Sequence, residues 1–111
     1  MPDVGPIFHA LADPHRRTVV EWLAAGGDAT ATELAAELPV TRQAVAKHLA
    51  SLEAAGLVEP TRVGRETRYR LTPEPLALAG DWLARVGDEW DERLGALRRH
   101  MTPPVSGRRA R

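Results

Sequence analysis

The sequence predicts a mainly α-helical domain of about five helices that carries one small β-hairpin. Residues 30 to 72 read without a gap as a helix, a short turn, a second helix and an arginine-rich hairpin. A long segment after residue 72 keeps apolar residues three and four positions apart, which is the spacing of an amphipathic helix. The order of helix, turn, helix and hairpin predicts a winged helix-turn-helix.

Two helical segments are predicted before this unit. Asp13 followed by Pro14 indicates a helix start, because aspartate caps free backbone N–H groups and proline fits the first helical position. The first helix, which precedes this start, contains Ile7, Phe8 and Leu11.

The first helix of the turn unit is predicted to begin near Ala31. Thr30 and Glu33 form a capping-box pattern, in which each side chain satisfies a free backbone N–H of the other residue. Pro39 disfavours continuation of this helix, and Thr41 is suited to cap the next one. The turn is therefore short, and a short turn makes the two helices cross steeply, as in helix-turn-helix proteins that read DNA.

The second helix, predicted from Arg42 to Ala55, has a packing side and an outer side. The packing side is apolar and consists of Val45, Leu49 and Leu52. The outer side carries polar side chains at its start and small side chains further along, and it consists of Gln43, Lys47, Ala50 and Ala54. Small residues allow close approach to base edges, glutamine can bond adenine and arginine can bond guanine. Ordinary solvated helices also carry such residues, so this helix alone does not establish DNA binding.

A β-hairpin is predicted next. Gly56 fits a left-handed helix cap, Pro60 indicates an edge strand, and Gly64 followed by Arg65 fits a two-residue type II′ turn. Residues 41 to 72 hold six basic and three acidic side chains, in a chain whose formal net charge is zero. Concentrated positive charge favours contacts to DNA phosphates, although a solvated arginine-rich strand is the alternative. The face of the return strand predicted to pack consists of Thr67, Tyr69 and Leu71.

The last helix is predicted to start after Thr72 and to run for roughly eight turns. Two tryptophans on one apolar stripe exceed what the core of a small monomer needs, although the first half of the stripe partly covers its own domain. We therefore predict a homodimer. Its predicted interface combines one stripe and part of the first helix: Trp82, Val86, Trp90, Leu94 and Leu97, with Ile7, Phe8 and Leu11.

A two-fold dimer predicts a symmetric DNA target. Two recognition helices related by a two-fold axis lie roughly 34 Å apart, which calls for an inverted-repeat operator. Residues 74 to 97 hold six acidic and two basic side chains, so the last helix is expected to point away from the phosphates.

Composition fits one domain over residues 1 to 101, followed by a basic tail over residues 102 to 111 that is predicted to be disordered. The chain has 111 residues, of which 43% are apolar, and this supplies one modest core. No run of eighteen apolar residues and no signal-peptide pattern occurs, so we expect a cytoplasmic protein without membrane contact. The lack of cysteine agrees with that compartment.

No metal and no other cofactor is predicted. Without cysteine, a thiolate site for soft metals is excluded. Asp88 and Glu92 lie one turn apart in the last helix, but no histidine lies one turn from either. His9 and His15 flank Asp13, yet capping explains that aspartate better than ligation does.

Catalysis is not expected either. The chain has no phosphate-binding glycine loop, no nucleophile elbow and no HExxH motif. The stronger competitor is a winged-helix module that binds protein rather than DNA. The hairpin arginines, together with Gln43 and Lys47 on the outer helix, favour DNA.

Three segments of the chain resemble the arsenic-repressor type (ArsR-like) of winged-helix transcription regulators. The segments are LADPHRRTVVEWLA, ELAAELPVTRQAVAKHLASLEAAGLV and GRETRYRL. The resemblance covers about residues 5 to 101. It implies that one group of residues, the helix set, lies in or beside the DNA major groove. A second group, the hairpin set, is implied to reach phosphates or the minor groove. The helix set is Arg42, Gln43, Lys47 and His48, with Thr41 at the helix start, and the hairpin set is Arg62, Arg65 and Arg68.

The resemblance also implies a repressor that occupies a promoter and is released by a ligand, a metal or another signal. Members often have serine where this chain has Ala46, and the change removes one hydroxyl contact to DNA. No residue pattern identifies an effector, so control by a ligand and control by the abundance of the protein both stay open.

Overall fold

The computed structural model describes residues 3 to 101, and in this part of the chain it contains five α-helices and one three-stranded antiparallel sheet. The helices are α1 (Gly5–Leu11), α2 (Pro14–Gly26), α3 (Ala31–Glu37), α4 (Arg42–Ala54) and α5 (Pro73–Met101). The strands are β1 (Asp28–Thr30), β2 (Val58–Val63) and β3 (Glu66–Leu71). This order confirms the predicted fold class. The tail predicted over residues 102 to 111 lies outside the described residues.

Side-chain caps set the start of the helices around the turn. Asp13 accepts a hydrogen bond from the backbone N–H of Arg16 at 2.9 Å and thereby caps α2. Thr30 and Glu33 form the predicted capping box of α3, with both hydrogen bonds at 3.0 Å. Thr41 accepts the backbone N–H of Ala44 at 3.0 Å at the start of α4. Each cap fixes where its helix begins, and the cap at Thr41 thereby sets where the turn after α3 ends.

The packing side of α4 forms the centre of the core. Val45, Leu49 and Leu52 are fully buried, as the helical period predicted. Ile7 of α1 is also a core residue, with only 5% of its surface exposed. This corrects the expectation that Ile7 lies between two copies of the chain, because a side chain packed into its own core has almost no surface left for a partner. Phe8 of α1 is half-buried and packs partly against the same core.

The sheet has the order β1-β3-β2, which makes β2 an edge strand and β3 the central one. Val63 pairs with Glu66 across the hairpin, so the loop consists of Gly64 and Arg65. Gly64 has a φ of 63°, and among the described residues no residue other than glycine has a positive φ. This pattern fits the predicted type II′ turn, in which only the first loop residue needs a positive φ.

The strand β1 is an element that the sequence did not predict. It has three residues, and Thr30 at its end is also the N-cap of α3. Thr30 pairs with Arg68 and Asp28 pairs with Arg70 of β3. The strand therefore joins the hairpin to the start of the helix-turn-helix.

The chain forms two compact units, the first ending at Ala79 and the second beginning at Gly80. The second unit is the remaining part of α5, where large apolar side chains are exposed. Trp90 is 59% exposed and Leu97 is 54% exposed, while Trp82 and Val86 are 36% and 40% exposed. None of the helices between residues 3 and 101 combines the length and apolar character needed to span a membrane.

Candidate nucleic-acid interface

The outer face of α4 is exposed and polar at its N-terminal end. Arg42, Gln43 and Lys47 are all exposed, and Ala46 and Ala50 continue the face with small side chains. The Nε of Arg42 donates to the hydroxyl of Thr32 in α3 at 2.8 Å. This contact orients the Arg42 side chain, while its two terminal guanidinium nitrogens, which are the pair that can bind guanine, have no hydrogen-bond partner among residues 3 to 101.

The hairpin, or wing (β2 and β3 with their loop), contains two kinds of arginine. Arg62 and Arg65 are exposed, and within residues 3 to 101 neither has a carboxylate partner within 4.0 Å. Arg70 instead lies directly opposite Glu59 on β2, with its Nη2 2.7 Å from the carboxylate. That pair raises the pKa of the Arg70 guanidinium and neutralises its charge locally. The free positive charge of the wing therefore lies at and near its loop.

Arg68 is engaged by three carboxylates. Its guanidinium lies 3.0 Å from Glu66, 3.0 Å from Glu33 and 3.3 Å from Asp28. The hydrogen bond to Glu66 is the main reason that the pKa of Arg68 is raised above its ordinary value, and Asp28 and Glu33 add to it. The side chain is 21% exposed, so a phosphate would have to compete with these carboxylates. The sequence pattern placed Arg68 on an outward charged face because it gave no sign of β1.

His48 is turned towards the start of α2. Its side chain is 17% exposed, and Nδ1 lies 3.9 Å from Oδ2 of Asp13. The imidazole rings of His48 and His15 are 5.9 Å apart between centroids and tilted by 44°. The resemblance placed His48 in or beside the major groove, whereas here it contacts residues of its own chain.

These elements define the class of the protein. A capped pair of helices joined by a short turn, with an exposed polar second helix and an arginine-bearing hairpin, is a winged helix-turn-helix. The family model described as a helix-turn-helix domain matches residues 11–61.

Similar proteins are transcriptional regulators. An HTH-type transcriptional regulator of Mycobacterium tuberculosis is 47% identical over 70 residues, which are 63% of this chain and 64% of that protein. The arsenical resistance operon repressor of Escherichia coli is 30% identical over 99 residues, covering 86% of this chain and 81% of the repressor. The solved structure of an ArsR-like transcriptional regulator from Rhodococcus sp. RHA1 is 42% identical, with a TM-score of 0.80 and coverage of 91% and 94%.

The chain belongs to the ArsR-like family of winged helix-turn-helix transcriptional regulators. The family consists of regulators rather than enzymes, which agrees with the absence of catalytic motifs from the sequence. The lack of cysteine places the chain among members without thiolate metal ligands.

Proposed function

We propose that the chain is a homodimeric repressor that binds an inverted-repeat operator. The observation that carries the DNA-binding part is the exposed polar start of α4 together with two wing arginines that have no carboxylate partner among the described residues. Exposed guanidinium and ammonium groups bind phosphates because they release the counterions of the DNA. Acidic or apolar residues in these places would have favoured a protein partner.

The proposed contacts fall into two groups. Arg42 and Gln43 stand at the N-terminal end of the recognition helix, where side chains reach base edges, so we assign them to base reading. Lys47, Arg62 and Arg65 are assigned to phosphates. Thr41, His48 and Arg68 have partners within the protein, so their substitution is expected to change DNA affinity less directly.

The proposed dimer depends on the exposed side chains of α5. Trp82, Val86, Trp90, Leu94 and Leu97 recur every three or four residues, so they share one side of the helix. All of them are exposed except Leu94, which is half-buried. A continuous apolar side of this kind is stable in water when another surface covers it. A second copy of α5 offers a matching surface, since a two-fold axis brings the same patch of both chains together.

The test is DNA binding by the full chain at two salt concentrations. A fluorescently labelled duplex from the region upstream of the protein's own gene is titrated and followed by anisotropy, with an unrelated duplex of equal length as control. We expect tighter binding to the upstream duplex and a loss of roughly 10³ or more in affinity between 50 and 200 mM salt. Absent or salt-insensitive binding would favour a winged-helix module that binds protein instead.

A further inference from the structure

A cluster of three side chains lies between the start of α2 and the middle of α4. Asp13, His15 and His48 each offer one ligand atom, and these atoms all lie within 4.8 Å of one another. Within residues 3 to 101 it is the one group of three or more such residues whose ligand atoms come this close. All three residues are half-buried.

We propose that Asp13, His15 and His48 form a binding site for a divalent transition-metal ion of the Zn²⁺ class. Two imidazoles and one carboxylate are a donor set that suits Zn²⁺ and its first-row neighbours, with water at the remaining position. Hard ions such as Mg²⁺ and Ca²⁺ prefer oxygen ligands alone. Thiolate chemistry is not needed, so the proposal agrees with the lack of cysteine.

The distances require only a small adjustment. Ligands of a tetrahedral ion at about 2.1 Å are about 3.4 Å apart, so ligand atoms that now lie within 4.8 Å of one another must move closer by up to about 1.4 Å. Rotation of the three side chains can supply this change without any movement of the backbone. Asp13 and His15 lie at the start of α2 and His48 lies within α4, so the helices hold their backbones in place. The 3.9 Å between His48 and Asp13 is longer than a hydrogen bond, so these groups are not locked to each other.

The capping role of Asp13 is compatible with ligation. A carboxylate offers about four lone-pair positions, and the cap on Arg16 occupies one of them. The guanidinium of Arg16 is directed elsewhere, to the carbonyls of Ala10 and His9 at 2.6 and 3.2 Å.

The position of the site matters because it joins two elements of the helix-turn-helix. Asp13 and His15 belong to the start of α2, and His48 follows Lys47 in the recognition helix. A bound ion would cross-link α4 to α2 in the folded protein. The sequence did not indicate this site, since capping explained Asp13 locally and His48 is distant in the chain.

The site is tested with the full chain at pH 7.5 and no DNA present, so the outcome is independent of the proposed operator binding. Purified protein is stripped with a chelator and titrated with Co²⁺, whose visible absorption reports tetrahedral imidazole ligation, and with Zn²⁺ in competition with a chromophoric chelator. We expect one ion per chain and an increase in Tm with Zn²⁺, because the ligands come together only in the folded state.

Variants locate the site. His15→Gln, His48→Gln and Asp13→Asn should each weaken Zn²⁺ binding by more than about tenfold, since even indirect partners of metal ligands contribute that much. Asparagine is itself a good N-cap, so Asp13→Asn should remain folded, which far-ultraviolet circular dichroism will verify. His9→Gln and His100→Gln are the matched controls, because both histidines are exposed and lie outside the cluster. Absence of binding at micromolar Zn²⁺, or equal losses in the cluster and control variants, would overturn the proposal.

Discussion

Arg68 of the wing donates a hydrogen bond to Oε1 of Glu33 at 3.0 Å, and the same oxygen accepts the backbone N–H of Thr30 at 3.0 Å. One glutamate therefore closes the capping box of α3 and holds the central strand of the wing. Because α3 precedes the recognition helix by a short turn, this carboxylate connects the two parts that are proposed to touch DNA. Asp28 and Glu66 complete the arrangement around Arg68.

Two substitutions at Glu33 separate its two roles. Glutamine also serves as the third residue of a capping box, so Glu33→Gln should keep the cap of α3 and lose only the charge opposite Arg68. Glu33→Ala removes both, and should lower the free energy of unfolding by about 1 kcal/mol, the scale of a capping interaction. Urea denaturation followed by circular dichroism measures both values. Equal losses would mean that the capping hydrogen bond contributes nothing.

The loop of the wing is predicted to contact DNA without regard to sequence. Arg65→Ala should weaken binding to the operator and to unrelated duplexes by similar factors, and should reduce the salt slope by about one phosphate contact per subunit, or about two per dimer. Anisotropy titrations at four salt concentrations give the slope. Arg85→Ala, which removes an exposed arginine of α5, is the matched control and should leave the slope unchanged. A normal slope for Arg65→Ala would remove this residue from the interface.

Gln43 is predicted to read bases rather than phosphates. Gln43→Ala should relax the preference at one position of each half-site, with a change of about 1–3 kcal/mol in discrimination and little change in binding to unrelated DNA. Selection of bound sequences from a random library, with wild type and variant in parallel, measures this preference. Identical selected sequences would assign specificity to other residues of α4.

Trp90 of α5 is predicted to stabilise the dimer. Trp90→Ala removes a large apolar side chain that is 59% exposed in one copy, so it should shift the chain towards monomer and lower operator affinity together. Sedimentation velocity at several concentrations measures the dimer population. Trp22 of α2 is 43% exposed, and Trp22→Ala is the matched control, expected to remain dimeric. A fully dimeric Trp90→Ala chain would place the interface elsewhere.

Local features of the fold could be predicted from sequence because a few neighbouring residues determine them. The capping box at Thr30, the cap at Thr41 and the buried side of α4 follow from spacing alone. Arg68 and His48 could not be placed in this way, since their partners come from β1, α3 and the start of α2. Ile7 shows the same limit, because spacing identifies an apolar side chain without deciding whether its own core or a second copy covers it.

Asp13, the N-cap of α2, makes part of the stability of the folded chain depend on pH. The pKa of Asp13 is lowered in the folded chain, mainly by the hydrogen bond from the backbone of Arg16, whereas an unfolded aspartate titrates at about 3.9. The folded state thus binds the proton less readily, so the contribution of Asp13 to stability is present above that unfolded value and is lost as pH falls through the lowered pKa.

The variant Asp13→Asn isolates this contribution, because asparagine caps a helix but does not titrate. In buffer with a chelator, wild type should exceed Asp13→Asn in Tm at pH 7, and the difference should begin to shrink as pH falls below about 4 and vanish only below the lowered pKa of the folded carboxylate. Thermal unfolding at pH 7, 5 and 3 gives the comparison. If the difference in Tm between wild type and Asp13→Asn stayed constant across this range, the negative charge of Asp13 would not stabilise the start of α2. Its hydrogen bond to Arg16 would then account for all of the stabilisation by Asp13.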